Sequence, residues 1–377
     1  MIEDASRVGL AFSDEQEELR RTVRRFLEES CPVGEVRRLM ATEVGHDPDV
    51  WRRLAELGLQ GIHVPEAMGG AGMGQVELSI VLEELGRSLA CVPYFATVGL
   101  AVNALLASGD EAAQSDLLPR LASGEATGTL AVLEPSGSWD LDAIATTARR
   151  EGDGWALDGV KAFVVDGHTA DVLLVAARAP GGLTVFAVEG EAAGMERVPV
   201  PELDQTRKLA TVELSSTPGR MVGEEGGAAG WLPRALDLAA VALASEQVGG
   251  AQRCLDMSVE YAKTRQQFGR AIGSFQAIKH RCADMLLRVE SARAAAYYAA
   301  WAAAEDAQEL PAVASLARAY CSEAYSWVAG ETIQVHGGIG FTWEHDAHLY
   351  FKRAKASELL LGDPARHREQ LLQRIGI

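Results

Sequence analysis

One carboxylate stands in a long apolar helix. Glu246 sits in the run LDLAAVALASEQVGG (236–250), among Ala, Val and Leu. Burial raises the cost of ionising such a group, so its pKa can be tuned and it becomes a candidate general base. The plainer alternative is that Glu246 faces solvent or pairs with a nearby Arg. Further along, Arg265 and Phe268 are three residues apart and so would share a helix face, before Gly269 and Gly273 break the helix and Ser274 caps its successor. A second constellation is Gln334-Val335-His336-Gly337-Gly338-Ile339-Gly340. It follows a helical pattern instead of a strand, so it is no Rossmann fingerprint. Its glycines would let backbone N–H groups approach a phosphate, or would simply end a helix. His345 and His348 have an i, i+3 spacing but no third ligand cluster, which argues against a metal. The run Lys352-Arg353-Ala354-Lys355 reads as a solvated helix face.

The elements that must position these groups fall into three parts. Ser13 with Gln16 forms a capping box, and Asp47-Pro48 begins another helix. Helical patterns recur at about 76–87, 93–107 and 110–122, with HVPEAMGGAGMG (63–74) as a glycine-rich connection. Short β-rich runs separated by glycine turns follow, from TGTLAVLEP (127–135) to Val222. Helical patterns resume at about 231–264, 274–304, 312–335 and 343–361. The expected architecture is α+β and multidomain: an N-terminal helical domain (1–124), a central antiparallel β domain (125–225) and a C-terminal four-helix bundle (226–377).

The chain has 377 residues and a formal net charge of -18, which argues against nucleic-acid binding. No apolar run reaches about 18 residues, so no membrane span is expected. The N-terminus lacks a basic region followed by an apolar core, so no signal peptide is expected. Five scattered cysteines suggest neither a disulfide framework nor a zinc site, and a reducing cytoplasm fits.

The order of the parts, with EYAKTRQQFGRAIGSFQ (260–276) and QVHGGIGF (334–341), resembles the acyl-CoA dehydrogenases over essentially the whole chain. FTWEHDAHLYFKRAK (341–355) is similar to an actinobacterial subgroup that includes steroid-degrading enzymes, some of them heterotetramers. The resemblance implies FAD, an acyl-CoA substrate, a homo- or heterotetramer and an electron-transfer flavoprotein as acceptor. It implies dehydrogenation to a 2,3-enoyl-CoA: a carboxylate takes the α-proton and the flavin takes the β-hydride. It places Arg265, Phe268, Gln276, Gln334, Gly337, Gly338 and Gly340 against the FAD of a neighbouring subunit. It also places Leu133 and Ser138, in LEPSGSWD, and Phe163 and Val165, in KAFVVDG, in the two flavin stretches of the β domain, with Ser138 as a substrate contact. Asp237 is a further candidate contact to CoA. The family commonly has Thr at position 133, Trp at 163 and Thr at 165, so two hydroxyls are missing. The usual base positions hold Ala239 and Leu361. Glu246 lies seven residues beyond Ala239 on the same helix face, hence its candidacy as base. Two other readings are a non-catalytic partner subunit and an oxidase or monooxygenase on the same scaffold.

Overall fold

The structure is a computed structural model and describes residues 12–377. The leader expectation rests chiefly on residues 1–11, which lie outside the described residues. The chain forms two compact units, each assembled from separate segments. Residues up to 36, 75–90 and 240–377 make a helical unit; residues 37–74 and 91–239 make a unit built around a β-sheet.

The N-terminal helices are α1 (Asp14–Ser30), α2 (Val33–Leu39), α3 (Pro48–Glu56) and α4 (Gln75–Ser88). Local signals set their starts. The Ser13 hydroxyl accepts from Gln16 N at 3.2 Å, and Gln16 Oε1 accepts from Ser13 N at 3.0 Å. Asp47 caps α3 with Pro48 in its first turn. The expected helix at 93–107 is in fact a wholly buried π-helical stretch (Phe95–Val102) running into α5 (Asn103–Ser108). A π-helix leaves carbonyls off the usual register. Asn103 Nδ2 donates to the Gly99 carbonyl at 3.1 Å, and Asn103 Oδ1 lies 3.1 Å from His63 Nε2. Then comes α6 (Glu111–Ala122), capped by Asp110.

The sheet comprises β1 (Gly128–Ala131), β2 (Thr147–Glu151), β3 (Gly154–Val165), β4 (Val172–Ala179), β5 (Gly182–Glu189), β6 (Met195–Pro199) and β7 (Leu209–Val222). Pairings β4–β2–β3–β7–β5–β4 close on themselves, with β6 added beside β7. It is mostly antiparallel, as expected, but β1 runs parallel to β4 (Gly128↔Val172 to Ala131↔Val175). Alternation in a strand reports which face is buried and says nothing of the neighbour's direction. The interior holds Trp155, Leu157, Val164, Leu173, Val175, Phe186, Val188 and Val212.

The long α7 (Ala228–Thr264) ends in a two-stranded hairpin of β8 (Gln266–Gln267) and β9 (Arg270–Ala271). Four helices follow: α8 (Gln276–Ala304), α9 (Leu310–His336), α10 (Ala347–Leu359) and α11 (Pro364–Arg374). The alanine run of α8 is core, with Ala292, Ala296, Ala299, Ala300, Ala302 and Ala303 buried. In the helical unit α7 packs against α4 through two glycines. A Cβ on Gly249 would stand 1.8 Å from the Glu83 carbonyl, and one on Gly86 would stand 2.0 Å from the Glu246 carbonyl. The two backbones touch there, and no side chain fits between them. No described helix is long and apolar enough to cross a membrane.

Candidate functional site

Glu246 is 5% exposed, but it is not a lone acid. Arg353, on α10, is 3% exposed and its Nη1 lies 2.8 Å from Glu246 Oε1. The basic run 352–355 is therefore not a uniformly solvated face. Arg353 turns inward, Lys352 lies over the Trp343 ring at 4.3 Å, and Lys355 pairs with Glu358 at 2.8 Å. Beside the pair, Gln247 Nε2 donates to the Ser322 and Ser357 hydroxyls at 3.2 and 3.3 Å.

Leu361 and Gly362, where the resemblance puts a family base, form a left-handed turn with φ +62° and +97°. The turn is held from inside. Arg318, fully buried on α9, gathers the carbonyls of Ser357, Glu358, Leu360 and Gly362 on its Nη2. It thereby caps the C-terminus of α10 with a cation. Burial pulls this guanidinium down to about 10, although Glu358 and Asp363 oppose the shift. His367 Nε2 lies 3.0 Å from the Leu361 carbonyl. Leu361 offers no titratable group to the space it borders.

Arg265 and Phe268 do not share a helix face, because α7 stops at Thr264. They lie on the hairpin, where Arg265 N donates to Tyr261 O at 2.8 Å and Arg265 O accepts from Ile272 N at 2.8 Å. Ser274 is not a cap either: its hydroxyl donates to Ala271 O at 2.7 Å, and Phe275 holds the N-cap position. Phe268 is 89% exposed. Arg265, Gln276, Gln334, Gly337 and Gly338 are exposed, whereas Gly340 is buried. The tertiary structure joins the two phrases: the Tyr261 and His336 rings are 4.4 Å apart, and Arg281 on α8 bonds Glu331 on α9 at 2.5 Å. His345 packs on His336 at 4.2 Å, and its Nδ1 accepts from Ala347 N. No atom lies within 4 Å of a Cβ built on Gly337 or Gly338. This exposed set of one cation, one aromatic ring, two amides and an open glycine turn fits a phosphate-bearing aromatic cofactor approached from outside the unit.

The β domain is less suited to one. Val165 is buried and Phe163 is half-exposed at φ +52°. Two backbone N–H groups that flank this stretch's flavin candidates are committed within the domain: Ala162 N donates to Leu133 O at 2.9 Å and Asp166 N to Lys208 O at 2.9 Å. Ser138 is exposed and its hydroxyl accepts from Asp140 N at 3.1 Å. Asp237 is buried on α7. Between the two stretches lies a pair that sequence reading missed. Lys161, with no exposed surface, sets its Nζ 2.7 Å from Glu134 Oε1. The carboxylate also accepts from Thr146 N, Thr146 Oγ1 and Ala145 N at 2.9, 2.6 and 2.8 Å. Burial pushes Glu134 upward, but Lys161, Thr146 and the backbone donors outweigh it and hold the carboxyl at about 2. The sequence signal was slight: Glu134 and Asp140 stand in one stretch and Lys161 and Asp166 in the other, with nothing to say which of them pair.

The fold combines helices with a β domain in one chain, and an exposed set of residues is suited to a phosphate-bearing ligand. Three family models cover the chain: acyl-CoA dehydrogenase N-terminal domain (13–125), middle domain (129–217) and C-terminal domain (230–376). The chain belongs to the acyl-CoA dehydrogenase family, FAD flavoprotein oxidoreductases of lipid metabolism in which tetramers are typical. It is 39% identical to acyl-CoA dehydrogenase IpdE2 of Mycolicibacterium smegmatis over 96% of this chain and 97% of that one. It is 40% identical to IpdE2 of Mycobacterium tuberculosis, covering 93% and 94%. Among solved structures it resembles the Tcur3481-Tcur3483 steroid ACAD variant, with TM-score 0.87, 34% identity and coverage of 96% and 97%. It also resembles the ChsE4-ChsE5 complex from Mycobacterium tuberculosis, with TM-score 0.89, 30% identity and coverage of 97% and 98%.

Proposed function

We propose that this chain is one subunit of a heteromeric, FAD-dependent acyl-CoA dehydrogenase, and that the proton-abstracting carboxylate comes from its partner. The observation that carries this reading is the Glu246–Arg353 pair: an acid held at 2.8 Å by a buried guanidinium is a poor base for a weakly acidic α-carbon. Leu361 at the other base position and the missing hydroxyls at Leu133 and Val165 point the same way. Two of the similar structures, Tcur3481-Tcur3483 and the ChsE4-ChsE5 complex, are named for two proteins each.

In this reading the reaction converts an acyl-CoA thioester to a 2,3-enoyl-CoA. FAD, when bound, supplies the acceptor for the β-hydride. The residues of this chain hold and enclose it. Arg265 would hold the pyrophosphate by charge-assisted hydrogen bonds, Phe268 would cover apolar ring surface, and Gln276 and Gln334 would hydrogen-bond polar edges. The Gly337 N–H is spent on the Gln334 and Ile333 carbonyls, so Gly337 and Gly338 would contribute an open main-chain surface that a Cβ would obstruct. One similar structure is a steroid ACAD, which makes a bulky polycyclic acyl-CoA the substrate class to try first, with an electron-transfer flavoprotein as the acceptor.

Purified alone, the chain is expected to be colourless and to give no flavin bleaching with any CoA thioester from a straight-chain, aromatic and steroid-like panel. A yellow chain that bleaches alone, and stops bleaching as Glu246→Gln, would restore Glu246 as the base and overturn the proposal. Arg265→Ala is expected to weaken FAD retention by the assembled protein about ten- to a hundredfold, the size of one charge-assisted interaction. Unchanged retention would make Arg265 a surface charge.

A further inference from the structure

The hairpin after α7 is strained where it is most exposed. Its ladder pairs Gln267 with Arg270, so Phe268 and Gly269 alone make the turn. Both have positive φ, +53° and +76°. A two-residue turn with both central φ positive is of type I′, which favours Asn-Gly. A bulky aromatic residue in that conformation is an outlier that costs backbone energy. It gains nothing back by burial, since the Phe268 side chain is 89% exposed. The ring is nevertheless not adrift. It meets the half-buried Phe275 edge-on, with centroids 6.1 Å apart and planes at 86°. The Arg270 guanidinium also lies over the Phe275 ring, at 4.0 Å. The hydrogen bonds Ile272 N to Arg265 O and Phe275 N to Ile272 O, at 2.8 and 3.1 Å, close the loop beneath.

We propose that Arg270 is a positioning residue: stacked on Phe275, it braces the ring against which Phe268 stands, so that a strained turn presents Phe268 preformed to the flavin nucleotide of a neighbouring subunit. The inference rests on the reading that this surface holds FAD, and extends it to how the contact is made. A flexible Phe would have to be ordered on binding; a braced one is ordered beforehand, and the strain is carried by the free chain. The sequence FGR keeps Gly second in the turn, where the conformation is cheap, and Phe first, where it is not.

The test measures FAD dissociation by flavin fluorescence on the flavin-loaded oligomer in which the chain purifies, together with the melting temperature of the flavin-free chain. Phe268→Asn should raise that melting temperature and weaken FAD binding, two changes of opposite sense that a packing role would not produce. Arg270→Leu and Phe275→Leu should each weaken FAD about two- to fivefold, the range of one exposed cation–π contact. The double variant should be no weaker than the worse single one, and Arg270→Lys should lie between parent and Arg270→Leu. If Arg270→Leu weakens FAD while Phe275→Leu does not, Arg270 touches the phosphates itself and the positioning role is wrong. If neither weakens FAD, or Phe268→Asn lowers the melting temperature, the braced-turn idea is wrong as well. Arg265→Ala separates these failures from failure of the underlying reading, because FAD binding indifferent to Arg265 as well would mean that the surface holds no flavin.

Discussion

Glu134→Gln is expected to destabilise the chain by about 3–5 kcal/mol, read as a lower midpoint in urea unfolding. Gln keeps the shape and can still accept from Thr146, whose N and Oγ1 stand 2.9 and 2.6 Å from the carboxylate. It cannot neutralise Lys161, which has no exposed surface and keeps only the Val132 carbonyl, 3.3 Å from its Nζ. Burial already pulls Lys161 down to about 8 despite the carboxylate beside it. Adding Lys161→Met to Glu134→Gln should recover most of the loss, since the unpaired charge leaves with its side chain. The pH dependence has a definite sign. The Glu134 carboxyl titrates at about 2 in the fold against an ordinary 4.5, so its stabilisation is complete above the ordinary value and drains away as pH falls toward 2. Glu134→Gln should flatten the acid limb of the stability profile over that interval. An unchanged midpoint and acid limb would mean that the ion pair contributes nothing net.

Arg353→Leu has a comparable expected effect, about 3–5 kcal/mol, because it strips the guanidinium from a buried Glu246. Glu246→Gln should cost a similar amount, since an amide oxygen can still accept from Arg353 but leaves the buried guanidinium without its counter-charge. The pair Glu246→Leu with Arg353→Leu should lie near the parent, so a double-mutant cycle would report strong coupling across two helices. These stability readings decide between the two roles of Glu246. A packing pair gives coupled losses of stability and leaves catalysis by the assembled enzyme in place. A general base gives Glu246→Gln with near-parental stability and no substrate-dependent bleaching. Weak coupling in the cycle would remove the main support for a base supplied by another chain.

Much of the architecture was legible because its causes are local. Ser13 with Gln16, and Asp47 with Pro48, satisfy the first N–H groups of their helices from within a few residues, so α1 and α3 begin where the sequence says. The β runs are apolar stretches cut by glycine turns and they build the sheet's core, and the alanine run of α8 packs inward. The chain sets Arg265, Phe268, Gln276 and Gln334 in the open, as the cofactor role proposed for them requires.

What eluded sequence reading were the partners. Glu246 and Arg353 are 107 residues apart, and Glu134 and Lys161 are 27 apart. Periodicity states which side of an element is buried and is blind to what another element brings to that side. For the same reason the sheet's parallel edge and the inward turn of Arg353 could not be foreseen. The end of α7 is a subtler case: helical spacing extended through Arg265 and Phe268, and only the closed hairpin shows that a type I′ turn overrides it. By itself, the sequence determined the starts of α1 and α3 and the division into helical and β-rich stretches, because each follows from neighbours a few positions away. The tertiary structure alone decided which charges are buried together, because the cost of burying an ion depends on which residue the fold sets beside it.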